Sequence, residues 1–149
     1  MNYLIKTKML FISSVIIAVT LVLSACSATG PIFQQVKPLE EKALVYFYRE
    51  VNHIGSISSC IISSNNSLLG ELNNGGYFSS YTQPGITKID GKIGVYDLAI
   101  TVNFEAGKTY YIHCGAHATS NHYVFTLNIV DERIGASQIK DNKNQKAER

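Results

Sequence analysis

Three histidines and a cysteine fall within ten residues, HCGAHATSNH, at positions 113–122. Neutral imidazole and thiolate are ligands for zinc or copper, so His113, Cys114, His117 and His122 offer the donor types of a transition-metal site. Their spacing matches no standard zinc module, and a polar loop between strands would use the same residues. Strand geometry narrows the set. If TYYIHC (109–114) is a strand, His113 and Cys114 point to opposite faces. Cys114 then shares the inward face with Tyr110 and Ile112, while His113 lies with Tyr111. An ion could draw on His113, His117 and His122, or on Cys114 with fewer histidines, but not on all four. Three readings stand open: a solvated loop with no cofactor, a Zn or Cu site of three histidines, and a mixed site.

The cysteine has a second use. Cys60 lies in SISSCIIS (56–63), where it shares a face with Ser58 and Ile62. A Cys60–Cys114 disulfide would close a loop of roughly 55 residues, and two buried thiols are the alternative. Arg49 follows the most apolar run of the chain. Its planar fork suits a carboxylate partner within the fold, or else a ligand. No Gly-x-Ser-x-Gly elbow is present. GELNNGGYF (70–78) is glycine-rich but lies between strands, with no helix N-terminus to hold a phosphate. The expectation is a protein that is not an enzyme.

The segments that must position these residues begin with a leader. Lys6 and Lys8 precede 15 uncharged residues, Met9 to Leu23. That run is short for a bilayer span, which needs about 20 residues, and it suits a secretory signal. Leu23-Ser24-Ala25-Cys26 resembles the bacterial lipobox. The resemblance implies cleavage after residue 25, a diacylglycerol thioether on Cys26 and an acylated amine, hence an anchor in the membrane. Ser27, where an Asp would favour retention at the inner membrane, points to the outer membrane facing the periplasm.

Removing Lys6 and Lys8 with the leader leaves 11 Lys+Arg against 11 Asp+Glu. A neutral chain without a basic patch argues against nucleic acid as partner. Residues 26–42, with two prolines, read as a lipidated cysteine and tether. ALVYFYRE (43–50) reads as a strand, and Asn65-Asn66 as the tight turn of a hairpin. Asn73 to Gly76, Asp90-Gly91 and Glu105 to Lys108 read as further turns, and YVFTLNIV (123–130) as a late strand. DERIGASQIK (131–140) loses the two-residue period and predicts a short helix. Residues 141–149 read as a disordered tail. Many short strands between turn signals predict an all-β, single-domain sandwich over 43–140 with a short C-terminal helix.

The ordered pieces carry a family resemblance. Ala43 to Arg49, Gly70 to Phe78, Pro84-Gly85 and Ala106 to Tyr111 are similar to the motifs of a family of small bacterial lipoprotein domains, domain of unknown function 2846. The resemblance implies an Ig-like or PEGA-like β-sandwich and leaves activity open. HATSNH extends the segment between the late strands beyond the family pattern. The functional expectation is a lipid-anchored envelope module that binds an envelope protein, a glycan or a small ligand. Alternatives are a metal-binding lipoprotein using the histidine stretch, and a hydrolase inhibitor presenting HATSNH or SSNNS.

Overall fold

In the computed structural model the described residues are 27–145, so the leader and Cys26 lie outside them. Eight strands follow in chain order: β1 (Ala43–Tyr48), β2 (Cys60–Ser64), β3 (Ser67–Leu72), β4 (Gly76–Thr82), β5 (Gly85–Ile93), β6 (Tyr96–Phe104), β7 (Thr109–Ala118) and β8 (Tyr123–Val130). A helix, α1 (Glu132–Gln138), a 3-10 turn at Ile139–Asp141 and a two-residue strand, β9 (Lys143–Asn144), complete the fold.

The run ALVYFY is apolar at every position, and all six residues of β1 are buried. Such a strand needs cover on both faces. It lies at the centre of a five-stranded sheet of order β8-β7-β1-β4-β9, parallel to β7 and antiparallel to β4. A second sheet, β3-β2-β5-β6, packs against it. Between the sheets Val45 and Phe47 meet Ile62, Leu72, Phe78 and Ile112, with the Phe47 and Phe78 rings stacked at 5.0 Å. Cys60 of β2 and Cys114 of β7 are joined by a disulfide that ties one sheet to the other.

The outer face of the first sheet carries Leu44, Tyr46, Tyr48, Tyr77 and Tyr111, all buried. Two segments cover it, and both correct the sequence reading. The stretch read as a tether is a strap. Phe33 meets the rings of Tyr46 and Tyr77 edge-on at 5.2 and 5.1 Å. The Tyr77 hydroxyl accepts from the Gln34 N–H, the Tyr46 hydroxyl accepts from the Val36 N–H, and the Tyr81 hydroxyl donates to the Lys37 carbonyl. Tyrosines supply apolar bodies to the face and use their hydroxyls to hold irregular backbone. The start of the stretch read as a disordered tail is also docked. Ile139 completes the tyrosine cluster, and β9 pairs with β4 at Gly76 and Tyr77. Residues 146–149 lie outside the described part.

Asn65 and Asn66 adopt φ of 49° and 63°, as a tight hairpin turn requires. Asp90-Gly91 is not a turn: both residues lie inside β5, and the turn falls at Gly94 (φ 58°). Gly91 is a glycine for packing, since a Cβ there would stand 3.1 Å from Leu127 of the opposite sheet. SISSCIIS supplies a strand only from Cys60 onward. The strand registers bring the β1–β2, β3–β4, β5–β6 and β7–β8 connections to one end of the sandwich, hereafter the loop end.

Reduction of the Cys60–Cys114 bridge, 54 residues apart in sequence, is expected to lower the unfolding free energy by about 3 to 4 kcal/mol. Urea melts with and without reductant measure this. Gly135 gives a test of opposite intuition. Replacing a mid-helix glycine by alanine ordinarily gains about 1 kcal/mol, but a Cβ here would overlap the Tyr111 side chain. Overpacking costs about 1 to 3 kcal/mol, so Gly135→Ala is expected to lower the melting temperature.

Candidate functional site

At the loop end the apolar strand gives way to RE-VN, and each polar residue is placed by a specific bond. Arg49 continues the inward face of Val45 and Phe47 and caps the core between the sheets; it is buried. Its guanidinium donates to the Ser58 carbonyl and, at 2.7 Å, to the Gly55 carbonyl. The carboxylate partner expected from the sequence is replaced by two backbone acceptors. The connection 51–58 therefore wraps round one cation. Gly55 has φ of +70°, and a Cβ there would stand 3.1 Å from Arg49 Nη2 and from the Phe125 ring, so glycine is required.

Asparagines secure the rest. Asn52 Oδ1 accepts from the Ile54 N–H at 2.9 Å, closing an Asx turn. Its Nδ2 donates to the Ala116 carbonyl of β7 at 2.7 Å, and its N–H donates to Asn74 Oδ1 at 2.8 Å. Asn142, buried, donates to the carbonyls of Arg49 and Gly76 at 2.6 and 3.0 Å.

Arg49, Glu50, Asn52, His113, Gly115 and Ala116 line a cleft of about 40 Å³. A water needs roughly 10–15 Å³ by such a measure, so the cleft is the size of a few waters. His113 lies on the outer face of β7, its ring 5.0 Å from that of Tyr48. Gly115 leaves the space it occupies, since a Cβ would strike the imidazole. Burial, and then the Arg49 cation, lower the His113 pKa below its ordinary 6.5. The Glu50 carboxylate stands 3.6 Å from Nε2, too long for a hydrogen bond, and does not reverse that shift. Burial likewise lowers the pKa of Arg49. Burial, then Glu50 and Tyr111, push the Tyr48 hydroxyl well above its ordinary value; it donates to Gln138 Oε1 at 2.6 Å.

The histidine stretch is divided by this geometry. Residues 113–118 belong to β7, and the connection is the short segment 119–122. There the N–H and hydroxyl of Thr119 both donate to the His122 carbonyl at 2.8 Å. His113 and His117 share a face of β7 four positions apart, about 13 Å at the strand rise, and His122 lies beyond in the turn. Zinc ligands must converge within about 2.0 to 2.3 Å of the ion. Among the described residues no group of three His, Cys, Asp or Glu is placed to hold a metal ion. Cys114, in the disulfide, is not available to a mixed site. A Ser-x-x-Lys spacing does occur, Ser137 in α1 to Lys140 in the 3-10 turn, but both residues are exposed.

The family described as "Protein of unknown function (DUF2846)" matches residues 39–127. The chain belongs to that family. No curated protein matches it. The DUF2846 match spans β1 to Leu127 in β8 and includes Arg49, Asn52, the disulfide and His113. The strap before Leu39, α1 and β9, which cover the outer tyrosine face, lie beyond it.

Glu50, Asn52 and Asn142 were not singled out by the sequence. Their only sequence signal is polarity directly after an apolar strand, or within a polar tail, and that signal names no partner.

His113 sets a pH dependence. Because its folded pKa is lowered, the unfolded chain takes up the proton first. Stability from the neutral imidazole is complete above about pH 6.5 and is lost as pH falls toward the folded pKa. His113→Gln is expected to remove that component. Urea midpoints at pH 7.5 and 5.5 test it: a pH difference equal in both proteins would reject the assignment.

Proposed function

We propose that this DUF2846 domain is a lipid-anchored module of the bacterial envelope, acylated at Cys26 and displayed at the outer membrane toward the periplasm, where it binds a partner rather than transforming a substrate. The observation that carries the reading is the Cys60–Cys114 disulfide across the core. Disulfides persist in oxidising compartments, and a leader ending in Leu-Ser-Ala-Cys would deliver the chain to one.

Binding rather than catalysis is supported by the use made of the polar side chains. Arg49, Asn52 and Asn142 are engaged with backbone carbonyls, and the cleft beside His113 is the size of a few waters. What the loop end presents outward is a rim of connections, the β1–β2 one held by these bonds. Such a rim suits a macromolecular partner in the envelope. A mature chain of neutral formal charge makes nucleic acid an unsuitable one.

The test is the intact mass of the full chain produced in a bacterial host. The expected species begins at Cys26 and carries diacylglycerol and an amide-linked acyl chain. Cys26→Ser is expected to abolish the acyl mass and release the domain from the membrane fraction. A wild-type product retaining residues 1–25 without acyl mass would refute the reading.

A further inference from the structure

The path of the strap relates the anchor to the loop end. Ser27 bridges to Asn74 in the β3–β4 connection, and the Ala28 N–H donates to the Asn74 carbonyl at 3.2 Å. Ala28 is buried. From there the strap runs down the tyrosine face to the opposite end, where the Gly107 N–H donates to the Lys42 carbonyl at 3.0 Å and β1 turns back. Cys26 is the next residue before Ser27, one Cα step of about 3.8 Å away. Acyl chains on Cys26 would therefore hold the loop end, not the far end, against the bilayer, with no slack between.

The composition of the hairpin tips agrees, although Ile86 in β5 beside the far-end tip is also 79% exposed. Hairpin tips are ordinarily polar, and at the far end they are Asn65–Asn66, Gln83–Pro84 and Glu105 to Lys108. At the loop end the tips carry large apolar side chains. Val95 in the β5–β6 turn and Ile57 in the β1–β2 connection are each 85% exposed, and Tyr123 at the β7–β8 tip is 63% exposed. Their loops meet around Phe125: Tyr96, next to Val95, packs on its ring at 4.8 Å, and Gly55, two residues before Ile57, lies against the same ring and Ala116. The nearby charges Lys92 and Asp97 face each other at 3.4 Å instead of presenting one sign.

We propose that the loop end is a membrane-seating surface. Val95, Ile57 and Tyr123 enter the headgroup–acyl boundary of the phospholipid bilayer that holds the Cys26 acyl chains, and the sandwich stands upright on it. Apolar side chains with an aromatic hydroxyl suit that boundary. The inference rests on acylation of Cys26 as proposed above. It reverses the simple picture in which the loops of a tethered sandwich point away from the membrane.

The chain contains no tryptophan, so single replacements give clean reporters. The acylated full-length protein carrying Val95→Trp, Tyr123→Trp or, at the far end, Ala106→Trp is reconstituted into phosphatidylethanolamine–phosphatidylglycerol vesicles with brominated acyl chains. Insertion by about 5 to 10 Å is expected to quench the two loop-end reporters by about twofold or more and shift them to the blue, leaving Ala106→Trp unchanged. Protein that carries acyl mass and floats with the vesicles, but whose loop-end reporters stay unquenched, overturns the orientation alone. A blue shift without quenching assigns the surface to a second copy or a protein partner and also overturns it. Absence of acyl mass overturns the orientation together with the anchor.

Discussion

A strand with no polar face dictates the architecture of this domain. β1 is buried along its whole length, and a single two-layer packing covers only one side of such a strand. The second sheet covers Val45 and Phe47, while Leu44, Tyr46 and Tyr48 require another layer. That layer is assembled from the two ends of the described part, the strap through Phe33 and the C-terminal segment through Ile139. The strap is not regular sheet and depends on tyrosine hydroxyls to satisfy its backbone groups, while the C-terminal segment docks through the pairing of β9 with β4. The strap and the segment after β8 are consequently parts of the fold rather than appendages to it.

The same strand determines the character of the loop end. Its inward alternation continues to Arg49, which places a guanidinium at the mouth of the core. A buried cation without compensation is costly, and here the 51–58 connection supplies two carbonyls to it. The requirement runs both ways: Arg49 needs the loop, and the loop has Arg49 as its interior. Asn52 then ties that loop to β7, and Asn142 ties the docked C-terminal segment to the backbone of Arg49 itself. His113 is held at this junction beside Gly115, whose lack of a Cβ lets a histidine on a strand face sit in the cleft.

Much of this was legible in the sequence, and the failures have physical causes. The alternation in TYYIHC correctly separates Cys114 from His113, and the Asn65-Asn66 turn follows from the positive φ that asparagine tolerates. A glycine, however, serves turns and close packing alike. Asp90-Gly91 therefore read as a turn when Gly91 exists to admit Leu127. The strap read as a tether because proline and polar residues are common to both, and the tyrosines that order it lie 10 to 44 residues away. The histidine stretch had the right donors, but convergence is a property of three dimensions. A regular strand keeps His113 and His117 apart.

The strap also links mechanics to placement. It begins at the loop end, crosses the tyrosine face and becomes β1 at the far end, so tension applied before Ser27 is carried first by the Asn74 contacts and the Phe33 aromatic cluster. A free tether would let the domain tumble above its attachment point. Here Ser27 lies at the loop rim, because the bonds that bury the outer face of β1 also fix where the strap starts across it. The inward and outward faces of a single strand thus account for both the rim and its position relative to Ser27.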